Sequence, residues 1–462
     1  MVSVARIPDS AQAMAPASLR ERIDTVDILR GWAIFGMLVV NFSYDLEWRW
    51  WFTKLWPGTA NRVAYFLLQF FAAGKFHALF SFLFGWGFAL QMDRAEARGA
   101  RFSPLYARRL FVLLLIGLTN LLLLHWDATL VEYALTGYLL FLFRARALKV
   151  VLAGAFLCAC YGPVRDAVVI HNHAQRLADP RTVEATRQQD AEAETAEIAD
   201  EEDELQLRSF KEYVVRDAEE VAEDLSSGGF YFGLLGYPFP LLLVGLYVGR
   251  RRILQDVSAH VGFLRKVFWW GLSLGLMGNG VGVLLSAYPG TYQAPWAKSW
   301  IGDAAFSQVG VPALGFCYAS AIVLLAQKPV WKVRLAPLVP IGRMALSNYI
   351  LQILIFDLLF YRLRFFGKVG PLLGVPVGLA VFLLELPVSA WWMRRFRFGP
   401  VEWLWRTLTY GKLQPMRIAT TRMIPMMIDP NISATFKPFL RRLLSYRGAG
   451  RGARQPGEGD VR

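Results

Sequence analysis

Three groups of ionisable and amide side chains stand in segments otherwise suited to hydrocarbon. Such residues are expensive there and mark a site, a pathway or an interhelical hydrogen bond. The first group lies in IDTVDILRGWAIFGMLVVNF, residues 23–42. Asp27 and Arg30 are three apart, so one helical face carries both and they can pair, each lowering the other's desolvation cost. Asn41 follows on the same helix, about 16 Å beyond Arg30 at 1.5 Å per residue. A guanidinium at a helix end suits phosphate, and equally suits a snorkelling anchor. The second group is Lys75, His77, His125, Asp127 and Glu132. Histidine titrates near neutrality and aspartate orients it, the least equipment that general base catalysis needs; an interfacial histidine is the plainer reading of His77. The third group lies in the second half. Asn279 sits in a glycine-lined segment, Arg343, Ser347, Asn348 and Gln352 recur mostly along one face, and Asp357 follows. Glu385 stands alone in its segment and so needs an inward-facing partner or a proton.

The elements that position these groups follow from composition. The chain has 462 residues, 55% hydrophobic and only 19% charged, which excludes an ordinary soluble enzyme. Its charges cluster and leave long uncharged segments between them, the pattern of an all-α polytopic transmembrane helical bundle of about ten spans. The expected spans are Ile28–Asp45, Phe76–Met92, Leu110–Leu124, Ala128–Phe143 and Leu148–Val164, then Phe230–Val248, Val267–Tyr288, Phe306–Gln327, Met344–Tyr361 and Leu372–Met393. Val63–Ala73 is apolar but short and reads as an interfacial or re-entrant helix. Alternate short loops hold 17 Lys and Arg against seven in the others, which puts the first set and both termini in the cytoplasm. The first span is retained, since no cleavage site closes it.

The chain then divides into a cytoplasmic segment (1–27), an N-terminal membrane half (28–164), an acidic outer loop (165–229), a C-terminal membrane half (230–412) and a basic cytoplasmic tail (413–462). Residues 179–225 carry 17 acids against 5 bases and read as a solvated amphipathic helix. The tail places Phe436, Phe439, Leu440, Leu443 and Leu444 beside Lys437, Arg441 and Arg442, an amphipathic patch for an anionic leaflet. The net charge of +14 belongs to loops and tail, so nucleic acid is not an expected partner. Cys158, Cys160 and Cys317 each sit in an apolar run and read as small buried hydrophobes; no metal site is expected. The absence of a nucleotide-binding P-loop and of H-E-x-x-H removes the main support for ATP-driven transport and zinc proteolysis.

At these residues the chain resembles the bacterial inner-membrane YeiB-like family, which carries the domain of unknown function 418. The matching stretches are residues 23–42, KFHALFSFLFGWGFAL at 75–90, RRL at 108–110, Asp127 with YALTG at 133–137, IGRMALSNYILQ at 341–352 and FGPVEWLWRTLTYGK at 398–412. That family is similar in turn to membrane acyltransferases, the acyltransferase family 3 proteins and heparan-α-glucosaminide N-acetyltransferase. The shared element is Asp27, Arg30 and Gly31. The resemblance implies acyl-CoA entering from the cytosol and a histidine near the opposite side assisting transfer. Where the acyltransferase family 3 motif places a histidine eleven residues after the arginine, this sequence has Asn41.

The leading expectation is therefore a multi-pass inner-membrane acyltransferase. Arg30 and the basic loops would draw in acyl-CoA as donor substrate, with no tightly bound cofactor. His77, or His125 with Asp127, would deprotonate a glycan, lipid or small-molecule acceptor. Donor-side or path residues are Asp27, Arg30, Asn41, Arg343, Asn348, Gln352 and Glu385. The alternative is a secondary transporter or export factor in which Asp27, Arg30, Asn348, Asp357 and Glu385 line a polar path. The lipid bilayer is the one partner common to both.

Overall fold

A computed structural model describes residues 24–43, 56, 58–97, 99, 102–124, 128–206, 229–286, 301–302, 304–365 and 368–418, with single positions between 212 and 222. His125, Asp127 and the amphipathic patch of the tail lie outside the described residues. The chain divides into one large unit, Met1–Met416, and a C-terminal unit, Arg417–Arg462. The described elements are helices, and no strand occurs among them.

Eight described helices are long and apolar enough to cross a membrane, and two shorter apolar helices accompany them. Each of the ten expected spans falls on one of these. The first is α1 (Asp24–Ser43). The short apolar stretch forms α2 (Thr59–Phe71) and turns at Gly74, whose φ of 77° is left-handed, into α3 (Lys75–Ala97). An antiparallel pair follows, α4 (Phe102–Leu124) and α5 (Thr129–Phe143). Helix α6 (Leu148–Ala178) runs well beyond the span expected to end at Val164, and α7 (Val183–Gln206) carries the acidic insert. His173 Nε2 lies 3.2 Å from Asp190 Oδ2 and ties these two helices together.

The span expected at Phe230–Val248 is broken into α8 (Gly229–Gly236) and α9 (Pro238–Arg250). Pro238 and Pro240 cause the break, because a proline lacks the N–H that would continue a helix and is tolerated in a first turn. The second half continues with α10 (Val261–Ser286), a π-helical turn (Ala305–Gly310), α11 (Val311–Ala326), α12 (Pro329–Leu335), α13 (Leu338–Arg343) and α14 (Ala345–Phe356). A second π turn (Asp357–Arg362), α15 (Pro371–Arg395) and α16 (Pro400–Tyr410) complete it.

Helix α1 lies at the centre of the bundle, packed against α3, α11, α13, α14 and α15. Leu29, Ala33, Ile34 and Leu38 on α1 are fully buried. Two backbone-to-backbone contacts fix its surroundings. A Cβ on Gly342 would fall on the carbonyl oxygen of Asp27, and one on Gly31 on that of Leu338, so α13 touches α1 where no side chain intervenes. Gly85 on α3 and Gly245 on α9 make the same kind of contact, against Leu242 and Phe82. The R-G of the first span and the I-G-R of α13 are thus two sides of one junction.

Candidate functional site

The junction of α1 and α13 gathers charges that are far apart in sequence. Asp27, 6% exposed, accepts from Arg30 Nη1 at 3.4 Å through Oδ1 and from Arg343 Nε at 3.2 Å through Oδ2. Arg343 Nη2 also donates to Asp24 Oδ1 at 3.0 Å. The pairing of Asp27 with Arg30 follows the three-residue spacing; the partner from α13 is 316 residues away. Arg343 is shielded by its two acids, whereas Arg30 keeps 35% of its side chain exposed.

Arg30 faces a cavity of about 320 Å³ bounded by α1, α3, α4, α5, α13, α14 and α16. At its basic-loop end stand five guanidiniums, Arg30, Arg94, Arg109, Arg343 and Arg406, against the carboxylates of Asp27 and Glu402. Cation surplus and aromatic walls occur together there: Arg109 stacks 3.9 Å over the Trp405 ring, and Trp405 Nε1 donates to the Arg109 carbonyl at 2.9 Å. Deeper walls are apolar, with Ile34, Met37, Leu83, Phe84 and Leu113. The lining residues on α3 run from Ala95 to Phe80, a rise of about 22 Å. The far end of the cavity is formed by Thr129, Leu130 and Tyr133 of α5.

His77 stands behind that end. Its ring lies edge-on to Tyr133, with centroids 5.7 Å apart, and to Tyr237 at 5.5 Å. The Tyr133 hydroxyl meets Ser81 Oγ at 3.1 Å, Ser81 Oγ donates to the His77 carbonyl at 3.0 Å, and Tyr237 donates to the Gly74 carbonyl at 2.9 Å. Tyr133, rather than His77 itself, is the side chain in the cavity wall. Lys75 is fully buried: Nζ donates to the Gln69 carbonyl at 2.6 Å and lies 4.3 Å from the centre of the Phe306 ring.

Glu402 joins the cavity to α14. Its Oε1 accepts from the N–H of Leu346 at 2.7 Å and of Ser347 at 3.1 Å, and its Oε2 accepts from Ser347 Oγ. A carboxylate from α16 thus caps the positive N-terminus of α14, where the first-turn N–H groups lack helical acceptors. Burial pushes the Glu402 carboxyl up from the ordinary glutamate range, and the donors from Ser347 and Leu346 pull against it. Replacing Glu402 by alanine leaves those donors without their acceptor and is expected to destabilise the protein by about 1–3 kcal/mol. Thermal unfolding in detergent measures this, and Glu402→Gln, which keeps one acceptor oxygen, should recover part of the loss.

The remaining polar residues lie elsewhere. Asn41 is half-buried on α1 and outside the cavity wall. Asn348, Gln352 and Glu385 form a cluster of their own between α14 and α15. Asp357 pairs with Arg362 at 2.7 Å, and Asn279 Nδ2 donates to the Gly275 carbonyl at 2.7 Å. No group of three or more potential metal ligands occurs among the described residues. Reasoning from sequence missed Tyr133, Arg109, Trp405 and Glu402, although Tyr133 opens YALTG and Glu402 stands in FGPVEWLW.

Two family descriptions match the chain on the two sides of this cavity. Residues 22–158 match the catalytic region of heparan-alpha-glucosaminide N-acetyltransferase, and residues 248–412 match the protein of unknown function DUF418. YxaH of Bacillus subtilis (strain 168), described as uncharacterized, is 33% identical over 430 aligned positions, which cover 87% of this chain and 98% of YxaH. The chain belongs to the DUF418, YeiB-like family. YeiB of Escherichia coli (strain K12), also described as uncharacterized, is 29% identical over 435 positions, covering 87% of this chain and all of YeiB. No solved structure matches the chain. Within this DUF418 protein, α1 and α3–α5 of the cavity wall come from the first matched region and α13, α14 and α16 from the second.

Proposed function

We propose that this DUF418 protein is a membrane acyltransferase that admits acyl-CoA at its basic, cytoplasmic face and presents the thioester deep in the membrane. The observation that carries this reading is the arginine-mouthed cavity running about 22 Å along α3. The guanidiniums at the mouth, with the partly exposed Arg30 foremost, suit the phosphates of CoA, Trp405 and Tyr410 offer aromatic faces beside them, and an apolar shaft suits an extended pantetheine arm. Similarity of residues 22–158 to an N-acetyltransferase catalytic region supports the same class of reaction. An acceptor amine or hydroxyl attacks the thioester carbonyl carbon, the C–S bond breaks, and the proton lost by the acceptor ends on the CoA sulfur. His77 is the base for that proton: its ring lies edge-on to Tyr133 at the end of the shaft, while the Tyr133 and Ser81 hydroxyls bond its backbone carbonyl.

The test is acyl-CoA binding and free-thiol release by purified protein, with acetyl-CoA and a long-chain acyl-CoA. Wild type should bind saturably, and His77→Ala should bind as well but release thiol at least about 100-fold more slowly. Folded wild-type protein that binds neither acyl-CoA overturns the proposal. The transport reading draws on a path through Asp27, Arg30, Asn348, Asp357 and Glu385, and these residues fall into three separate clusters.

A further inference from the structure

Glu385 belongs to none of the machinery above. It lies in the middle turns of α15 and is 3% exposed. Its Oε2 accepts from Gln352 Nε2 at 2.8 Å, while Oε1 is buried without a hydrogen-bond partner. One turn along the same two helices, Ser389 Oγ donates to Asn348 Oδ1 at 3.2 Å, and Asn348 Nδ2 donates to the Ile341 carbonyl at 3.3 Å. Helices α14 and α15 thus meet on a ladder of four polar side chains, spaced i, i+4 on each, and none of the four is a cation.

The surrounding elements supply no counter-charge. Helix α15 packs against α1, α2 and α13, whose charged residues are Asp24, Asp27, Arg30, Arg62 and Arg343, and α14 has no charged residue at all. Asp24, Asp27, Arg30 and Arg343 are engaged with one another at the cavity mouth. Asp357, beyond the end of α14, is held by Arg362. Tyr65 on α2, Tyr349 on α14, and Arg394 and Arg395 in the last turn of α15, more than two turns beyond Glu385, are the other titratable side chains on these helices. No ion pair to Glu385 occurs among the described residues.

An ionised Glu385 would be a buried charge with a single amide for company, the costliest state a membrane interior offers. The neutral acid leaves only one hydroxyl short of an acceptor, a much smaller penalty. A metal cation is disfavoured because the Gln352 amide presents its N–H to the carboxyl rather than its oxygen. We propose that Glu385 is a proton-binding site inside the second membrane half, occupied when α14 and α15 are closed on each other. Release of the proton requires the two helices to part and admit water. The first turn of α14 walls the cavity at Ala345, Leu346 and Tyr349, so a movement that empties the proton site also reshapes the cavity.

Infrared spectra of the full-length protein in lipid nanodiscs, prepared with glutamate labelled by carbon-13 at the side-chain carboxyl, test this at neutral pH. Wild type should show a carbonyl stretch of a protonated acid that moves with the label, and in Glu385→Gln the component due to Glu385 should vanish, leaving only what the buried Glu402 contributes. In Gln352→Leu the same band should rise in frequency, since the carbonyl loses its hydrogen bond. No such band in wild type overturns the proposal, as does a band of undiminished intensity in folded Glu385→Gln. If Glu385→Gln does not fold, a band left unmoved by Gln352→Leu overturns it equally. Acyl-CoA plays no part in the measurement, so its outcome stands apart from the fate of the acyltransferase reading.

Discussion

Arg30→Ala is expected to weaken CoA binding by about tenfold to a hundredfold while leaving thermal unfolding where it is. A guanidinium bonded to a phosphate contributes about 1.5–3 kcal/mol, which is the size of that change in Kd. Stability should hold because Asp27 keeps its shorter bond, 3.2 Å to Arg343, when the 3.4 Å bond to Arg30 is removed. Titration of CoA against wild-type and variant protein reads the first quantity, and a melting curve in detergent the second. Unchanged affinity would remove Arg30 from the donor site. The affinity of wild type should also fall with added salt, since several phosphate contacts act together at the partly exposed mouth.

Gly342→Val should lose the folded state. The new Cβ would occupy the position of the Asp27 carbonyl oxygen, so α13 has to lift away from α1. Lifting α13 withdraws Arg343 from Asp27, and leaving a buried carboxylate short of its main partner costs about 3–5 kcal/mol beyond the steric penalty of about 1–3 kcal/mol. Together these approach the whole stability of an ordinary domain. Size-exclusion behaviour and melting temperature give the readout. A well-behaved Gly342→Val protein melting with wild type would mean that the contact between α1 and α13 is looser than described.

How much of this was legible in the sequence depends on the range of each interaction. The ten spans were legible because twenty apolar residues announce themselves locally, and Asp27 with Arg30 because their spacing is a helical one. Helix order in the bundle leaves no such mark. Arg343 was singled out, but nothing in 316 intervening residues says that it closes on Asp27. Gln352 and Glu385 were each chosen as costly residues without any sign that they face each other. Glu402 and Tyr133 were overlooked because they stand among aromatic and apolar neighbours at helix ends, where a glutamate or a tyrosine is ordinary; only the fold turns one into a cap and the other into the end of a shaft. The break before Pro238 follows from proline chemistry alone, against the continuous span expected at residues 230–248.

The contact of α1 with α13 also sets an order of events during synthesis. The first helix leaves the ribosome with Asp24, Asp27 and Arg30 near its end, about three hundred residues before Arg343 exists. Until then its acids can draw only on Arg30 and on whatever the insertion machinery or lipid headgroups provide. The charge network and the glycine seam are completed late, when α13 arrives, so the nascent first half waits in the bilayer with its central helix unfinished. Assembly of this protein is thus a closing of the second half onto the first.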